Sequence, residues 1–371
     1  AADTPRKPFC INLAWANKLP LQDDKVRYIG DEVAAVAAIS EEVAQEALEL
    51  IRVEYEELPA VFEINEAMAP GAPLIHTEAR NTAASLSREF GDVGKGFREA
   101  HLIVEDEFET QPAAHLCMEP RACVAAYDGY RLAVWATTQT PHPLRYELAQ
   151  ALDISISRIK VIDKFVGGGF GSRMGVDAIE IVSALMAIKT GRPVRIVNSR
   201  DEEFETSRCR YPMRIRLKTG CRKDGRIIAR EGIFYTDNGA YNGHGIAITG
   251  NACAKLCQLY AVPNVRFEGY VVYTNKLWGG AFRGYGGPQT HFAMESQMDI
   301  IAEKLSMDPM ELRLINANVA GQTTAAGHKI VSCGMSECIT KAADEAGYQR
   351  RGDLPANRGI GMSAMIHGGG G

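Results

Sequence analysis

Two glycine-rich turns hold the residues of this chain whose types and spacing could do chemistry, Phe165-Val-Gly-Gly-Gly-Phe-Gly-Ser-Arg173 and Gly279-Gly-Ala-Phe-Arg-Gly-Tyr-Gly-Gly287. Glycines tolerate positive φ and let main-chain N–H groups approach a ligand closely. A turn that enters a helix adds the donors that a helix start leaves unpaired. Two such loops facing one another would offer main-chain donors to a large polar group bearing phosphate or oxo oxygens, with Arg283 as a forked cation beside them. The familiar nucleotide motifs fit poorly. A Walker A loop needs Lys-Ser/Thr after its last glycine, whereas Ser172 and Arg173 follow Gly171. A Gly-x-Gly-x-x-Gly fingerprint begun at Gly167 and Gly169 would need a third glycine at 172. On these residues alone, two tight turns and a surface arginine stand beside the cradle as the lesser alternative.

The elements that must position these loops are readable from periodicity. Residues 157–166, rich in Ile and Val, read as a strand before the first loop, and 176–189 as the helix after it, closed by Gly191 and Pro193. The second loop leads through Pro288 into a helix carrying Met294, Met298, Ile301 and Leu305, and Asp308-Pro-Met-Glu311 has the form of a capping box. Upstream, residues 25–39 alternate as a strand, Ser40 opens a helix with Val43, Ala44, Ala47, Leu48 and Ile51 on one face, and 52–56 read as a second strand. Prolines and glycines make 63–85 an extended linker. Strands are expected at 103–109, 123–126 and 132–136, a short helix at 144–152, and a twisted antiparallel sheet over 212–275 turning at Asp224-Gly225.

Composition narrows the class. With 371 residues, 46% hydrophobic and 23% charged, and a net charge of −5, the chain reads as a soluble globular protein of two or three domains. The scattered charge gives no footprint for nucleic acid. No apolar run is long enough to span a bilayer and no signal pattern opens the chain, so a cytoplasmic protein is expected. The nine cysteines include no Cys-x-x-Cys pair. Reduced and mostly buried thiols are expected rather than disulfides or an iron–sulfur site.

The combination Thr138-Gln139-Thr-Pro, Val166-Gly-Gly-Gly-Phe-Gly171 and Ala281-Phe-Arg-Gly-Tyr-Gly-Gly-Pro-Gln289 resembles the molybdenum hydroxylases of the xanthine oxidase family. Further blocks in the same order are similar to that family: Val26-Arg-Tyr-Ile-Gly-Asp-Glu-Val33, His115-Leu-Cys-Met-Glu-Pro120, Lys189-Thr-Gly-Arg-Pro-Val194, Asp237-Asn-Gly-Ala-Tyr241 and Leu312-Arg-Leu-Ile-Asn316. The resemblance implies an α+β fold: an α/β-hammerhead domain over 1–62, a first molybdopterin-binding domain of mixed twisted sheets and helices over 86–350, and the opening of a second over 351–371. It implies that Gln139 hydrogen-bonds an oxygen ligand of molybdenum, and that Phe170 and Gly171 lie against the metal's ligand sphere with Gly168 and Gly169 allowing the approach. Arg283 would contact the pterin, and the metal would be held through the pterin dithiolene rather than by a side chain. Tyr285 falls where the family places an aromatic side chain, which implies that it would line the substrate cavity.

Two departures bear on the substrate. Purine-oxidising members carry a glutamate and an arginine where this chain has Met174 and Asn251, which disfavours purines and leaves those two residues as candidate substrate walls. Carbon monoxide dehydrogenases carry a cysteine-containing loop in place of residues 281–286, so carbon monoxide is disfavoured too. The resemblance then implies hydroxylation of an aromatic, N-heteroaromatic or aldehyde substrate with oxygen from water. Electrons would leave through [2Fe-2S] centres and FAD on partner subunits, and the pterin would be of the cytosine dinucleotide form. Two alternatives stay open: reductive dehydroxylation of a hydroxyaromatic acyl-CoA, as in 4-hydroxybenzoyl-CoA reductase, and a non-catalytic scaffold that kept the fold. The family's base glutamate lies beyond residue 371. The chain is therefore expected to be catalytically incomplete, either truncated or completed by another polypeptide, in keeping with its start without methionine and its end at Gly368-Gly-Gly-Gly371.

Overall fold

The computed structural model describes residues 4–10, 12–77 and 80–367, so the terminal glycines lie outside the described residues. Helix α1 (Glu41–Glu49) opens at Ser40, whose hydroxyl accepts from the Val43 N–H at 3.3 Å. None of its side chains is buried. The strands expected at 25–39 and 52–56 do not form. Neither segment meets a partner strand among the described residues, and an isolated β-segment has no ladder to hold it. The stretch before α1 is fixed by charge: Lys18, fully buried, pairs with Asp31 at 3.0 Å and with Glu32. Tyr241 Oη donates to Asp31 Oδ2 at 2.6 Å and ties this stretch to the larger body.

The segment expected as an extended linker is packed. It contains α2 (Ile64–Met68), and Val61, Ala67 and Ile75 form a small core with Val272 and Tyr273. Asn81, also buried, donates to the carbonyls of Ala67 and Pro73.

There follow β1 (Thr82–Phe90), α3 (Val93–Glu99), β2 (Leu102–Thr110), β3 (Ala113–Ala114), β4 (Ala122–Tyr127), β5 (Leu132–Ala136), α4 (Pro141–Leu152), β6 (Ile159–Ile162), α5 (Ala178–Thr190), β7 (Val194–Val197), α6 (Arg200–Thr206) and β8 (Cys209–Arg210). The remainder is β9 (Met213–Cys221), β10 (Ile227–Gly239), α7 (Gly245–Ala254), β11 (Val265–Tyr273), α8 (Gly287–Leu305), α9 (Pro309–Asn316) and α10 (Met335–Ala346). One sheet has the order β1-β11-β10-β9-β2, another β6-β5-β4-β7. The expected antiparallel sheet over 212–275 is in fact mixed: β9 and β10 pair antiparallel across the Asp224-Gly225 turn, but β11 runs parallel to β10. The helix α7 lies between those two strands in sequence and makes the crossover that parallel neighbours need.

Two hydrophobic cores result. Ile215, Leu217, Phe234 and Val265 of the larger sheet pack with Ile248 of α7 and Met294, Met298 and Ile301 of α8. Leu132 and Val134 of the smaller sheet pack with Leu144 and Leu148 of α4 and Ile181 and Ala184 of α5. Helix α5 is closed by a reciprocal capping box between Asp177 and Glu180 and ends in a left-handed Gly191. The first glycine loop is thus the strand-to-helix turn of one core, and the second leads into the main helix of the other. All nine cysteines are free, seven of them buried. Among the described residues no helix is long and apolar enough to cross a membrane.

Candidate functional site

The two loops meet through their backbones. The Arg283 N–H donates to the Phe170 carbonyl at 2.9 Å, and a Cβ placed on Gly171 would lie 2.4 Å from the Ala281 carbonyl oxygen. Each loop also holds an aromatic residue in left-handed conformation, Phe170 at φ 52° and Tyr285 at φ 46°. Such a conformation costs a bulky residue on the order of 1–3 kcal/mol and persists only where its surroundings over-determine it.

Gln139 supplies much of that determination for the first loop. It sits between β5 and α4, and its side-chain Oε1 accepts from the N–H groups of Gly171 at 2.8 Å and Arg173 at 3.4 Å. A Cβ on Gly169 would fall 2.4 Å from the Gln139 carbonyl group, so only glycine admits this side chain. With Oε1 turned to the loop, the amide NH₂ remains as a donor. Glu119 fixes the loop's start, accepting from the Gly167 N–H at 2.6 Å and from Arg173 Nη1 at 2.9 Å. Two buried arginines hold its exit. Arg121 donates to the Ser172 carbonyl at 2.6 Å and pairs with Asp177 and Glu180, while Arg208 donates to the carbonyls of Met174 at 2.7 Å and Val176 at 2.5 Å. Behind this exit, burial pushes the Glu147 carboxyl up to about 7, although it accepts from the Val176 N–H.

The second loop is clamped from three sides. Phe282 stacks on His115 with ring centroids 4.2 Å apart and has the Arg210 guanidinium 4.0 Å from its centroid. The His115 Nε2 lies 2.7 Å from the Ala281 carbonyl, which only an N–H can satisfy. His115 Nδ1 is buried and has no hydrogen-bond partner among the described residues. Asn251 Nδ2 donates to the Tyr285 carbonyl at 2.5 Å. Tyr211 Oη donates to the Gly279 carbonyl at 2.7 Å with its ring lying where a Gly279 side chain would be.

The arrangement therefore offers donors. The N–H groups of Gly168, Gly169 and Phe170 have no acceptor among the described residues, the Gln139 amide has its NH₂ left over, and the exposed Arg283 side chain has no ion pair among them. Such a set suits an oxygen-rich, electron-rich group such as an oxometal centre with its pterin. Among the described residues no three His, Cys, Asp or Glu side chains are placed to ligate a metal.

Of the residues singled out from sequence, contacts join Gln139, Gly169, Phe170, Gly171 and Arg283 directly, with Gly168 preceding Gly169 in the same loop. Asn251 acts on Tyr285 through its main chain. Met174, half-buried, is tied to the first loop by its N–H on the Gly171 carbonyl at 3.4 Å. Sequence reasoning passed over Glu119, Arg121, Arg173, Arg208 and His244. Arg173, two residues after the last loop glycine, carried a signal: a loop rich in carbonyls needs donors close by. Arg121 and Arg208 lie far away in sequence and carried none.

Comparison with known proteins bears on this geometry. Residues 75–317 match the molybdopterin cofactor-binding domain, and residues 1–59 the a/b hammerhead domain of aldehyde oxidase and xanthine dehydrogenase. The chain is 38% identical over 336 residues to the nicotinate dehydrogenase large molybdopterin subunit of Eubacterium barkeri, covering 89% of this chain and 79% of that protein. It is 34% identical over 384 residues to the xanthine dehydrogenase molybdenum-binding subunit of Escherichia coli, covering 98% of this chain and 51% of that protein. In fold it matches the aldehyde oxidoreductase from Desulfovibrio gigas with a TM-score of 0.89 at 30% identity, over 96% of this chain and 40% of that one.

Proposed function

The chain belongs to the molybdopterin-binding proteins of the xanthine oxidase and aldehyde oxidase family, and we propose that it holds the cofactor of a hydroxylase for an aromatic, N-heteroaromatic or aldehyde substrate. One observation carries the reading: Gln139 spends its carbonyl on the first glycine loop and keeps its amide NH₂, at the point where the two loops dock. When bound, the molybdenum–pterin group would supply two-electron oxidation with oxygen taken from water.

Each residue's part follows from what it has free. The Gln139 amide would donate to an oxygen ligand of the group, and the N–H groups of Gly168, Gly169 and Phe170, which have no acceptor among the described residues, would be available to it as well. Arg283 meets the pterin. Tyr285 presents an aromatic wall on which a flat substrate can stack, Met174 adds an apolar side chain after the first loop, and Asn251 serves that wall by fixing Tyr285. Without a carboxylate at 174 or a guanidinium at 251, purines lack the groups that would orient them. Residues 1–62 form the hammerhead domain and 86–350 the first cofactor-binding domain, with 351–371 opening a second. The pterin is the cytosine dinucleotide form, and [2Fe-2S] and FAD subunits complete a cytoplasmic hetero-oligomer that also brings the catalytic base.

Metal analysis of the purified complete complex tests the reading, together with turnover of nicotinate, xanthine and an aldehyde with an artificial electron acceptor. Molybdenum should be present, and nicotinate or the aldehyde should be oxidised faster than xanthine. A complex without molybdenum refutes the reading, and full turnover in Gln139→Ala returns the chain to the status of a scaffold.

A further inference from the structure

The Tyr285 hydroxyl has one partner among the described residues, the Nδ1 of His244 at 3.0 Å. The other imidazole nitrogen, Nε2, is buried with no partner among the described residues. His244 immediately precedes α7, is 3% exposed, and meets the Tyr285 ring edge-on, with centroids 5.7 Å apart and planes at 89°. Its main-chain N–H donates to Tyr211 Oη at 2.9 Å, which pins its place in the fold. Burial, helped by the Arg208 charge, pushes its pKa down to about 3, so the ring is neutral and carries one N–H.

Two tautomers are then open. With the proton on Nε2, a buried N–H goes without an acceptor and the phenol spends its own hydrogen on Nδ1. With the proton on Nδ1, the N–H is satisfied by the phenol oxygen and only a lone pair on Nε2 is left over. A buried orphan acceptor is tolerated better than a buried orphan donor. The turn that carries Tyr285 is rigid as well: Gly284, Tyr285 and Gly286 are all left-handed, at φ 93°, 46° and 87°, and Asn251 holds the Tyr285 carbonyl.

We infer that His244 is a positioning residue which donates from Nδ1 to the Tyr285 oxygen and so leaves the phenol O–H to donate to an acceptor on the substrate, a carboxylate or carbonyl oxygen. The inference rests on the reading of Tyr285 as a wall of the substrate cavity, and it turns that wall from a stacking surface into a directional donor. Substrates with an oxygen acceptor are then selected over bare rings of the same shape.

The test uses the intact complex with His244→Leu, His244→Asn, Tyr285→Phe and the His244→Leu/Tyr285→Phe double variant, and nicotinate as the acceptor-bearing probe. The Asn amide can place an N–H where Nδ1–H stands, whereas Leu keeps volume without a donor. KM for nicotinate should rise about tenfold in His244→Leu and in Tyr285→Phe, the worth of one lost hydrogen bond. It should rise no further in the double variant and return to within about threefold in His244→Asn, with kcat changing less than KM. A second readout needs no turnover: the ¹⁹F resonance of 3-fluorotyrosine placed at 285 should shift in His244→Leu and move back in His244→Asn. An unmoved resonance overturns the inference. So does a shifted resonance with unchanged KM, or additive losses in the double variant. A wild-type complex that lacks molybdenum or oxidises none of the probes instead refutes the proposed function, and the ¹⁹F comparison still decides the His244–Tyr285 bond.

Discussion

Gly171→Ala should separate the two loops, and the structure sets the size of the effect. Gly171 has φ +107°, and its added Cβ would stand 2.4 Å from the Ala281 oxygen and 3.1 Å from the Phe282 nitrogen, both backbone atoms that no rotamer change can move. Relief to van der Waals contact requires the loops to part by roughly 0.8–1 Å. That displacement breaks the Arg283 N–H bond to the Phe170 carbonyl, worth about 1 kcal/mol, and the left-handed backbone costs alanine a further 1–2 kcal/mol, roughly. The sum is about 2–3 kcal/mol. Gly191→Ala is the matched control, because Gly191 is also left-handed at φ +64° but has nothing within 4 Å of an added Cβ, so it carries only the backbone cost of about 1 kcal/mol. Urea denaturation of the two variants should differ by about 1–2 kcal/mol, and only Gly171→Ala should lower the molybdenum content of the complex. Equal stability losses with equal metal content would refute the claim that backbone contact between the loops builds the site.

Gln139→Glu should fold nearly as well as wild type, since a carboxylate can still accept from Gly171 and Arg173, yet it should lose the amide donor and with it most turnover. Gln139→Ala should lose both, and equal stability for the two variants would contradict the anchoring role. Glu147→Gln should change how stability depends on pH. The folded carboxyl titrates near 7 rather than 4.5, so the folded state binds more protons across that window and wild-type stability falls as pH rises through it, by at most about 3 kcal/mol. The variant should therefore gain over wild type at pH 8 and not at pH 4.5, as read by thermal melts, and a constant difference would be inconsistent with that titration. Native thiol labelling should modify two cysteines, Cys333 and Cys338, quickly and the seven buried ones only after unfolding; a third fast thiol would contradict the packing described.

How much of this was legible in the sequence depends on the range of the interaction that fixed each part. Local signals succeeded. Ser40 caps α1, Gly191 ends α5, and Asp308 accepts from the N–H groups of Met310 and Glu311 to start α9. The strand before the first loop was expected to run to residue 166 but ends at Ile162, because β6 pairs with β5 only as far as Trp135. Residues 25–39 and 52–56 have strand periodicity, but periodicity does not supply a partner. For the site, glycine spacing announced close approach without naming what approaches. At Gly169 it is the protein's own Gln139, at Gly171 the opposite loop, and at Gly167 the Glu119 side chain.

The position of the site between two cores explains why its anchors are charged. Each loop belongs to a different hydrophobic cluster, and packing within one cluster cannot fix its loop relative to the other. Apolar contacts are non-directional, so the loop carbonyls are aligned instead by groups with defined hydrogen-bond geometry. Arg208 and Arg210, close together in sequence at the entry to β9, each hold one wall. Arg208 donates to Met174 and Val176 of the first loop's exit, and Arg210 to the Arg283 carbonyl of the second. A short stretch of one chain thereby sets the register of both walls. Burying Arg208 is costly unless it is paired, and Asp177 at 3.5 Å, itself the cap of α5, provides that pairing. The charge that stabilises the helix start is the same charge that permits the arginine to hold the loop, so the helix, the loop and the opposite wall are fixed as one unit before any cofactor binds.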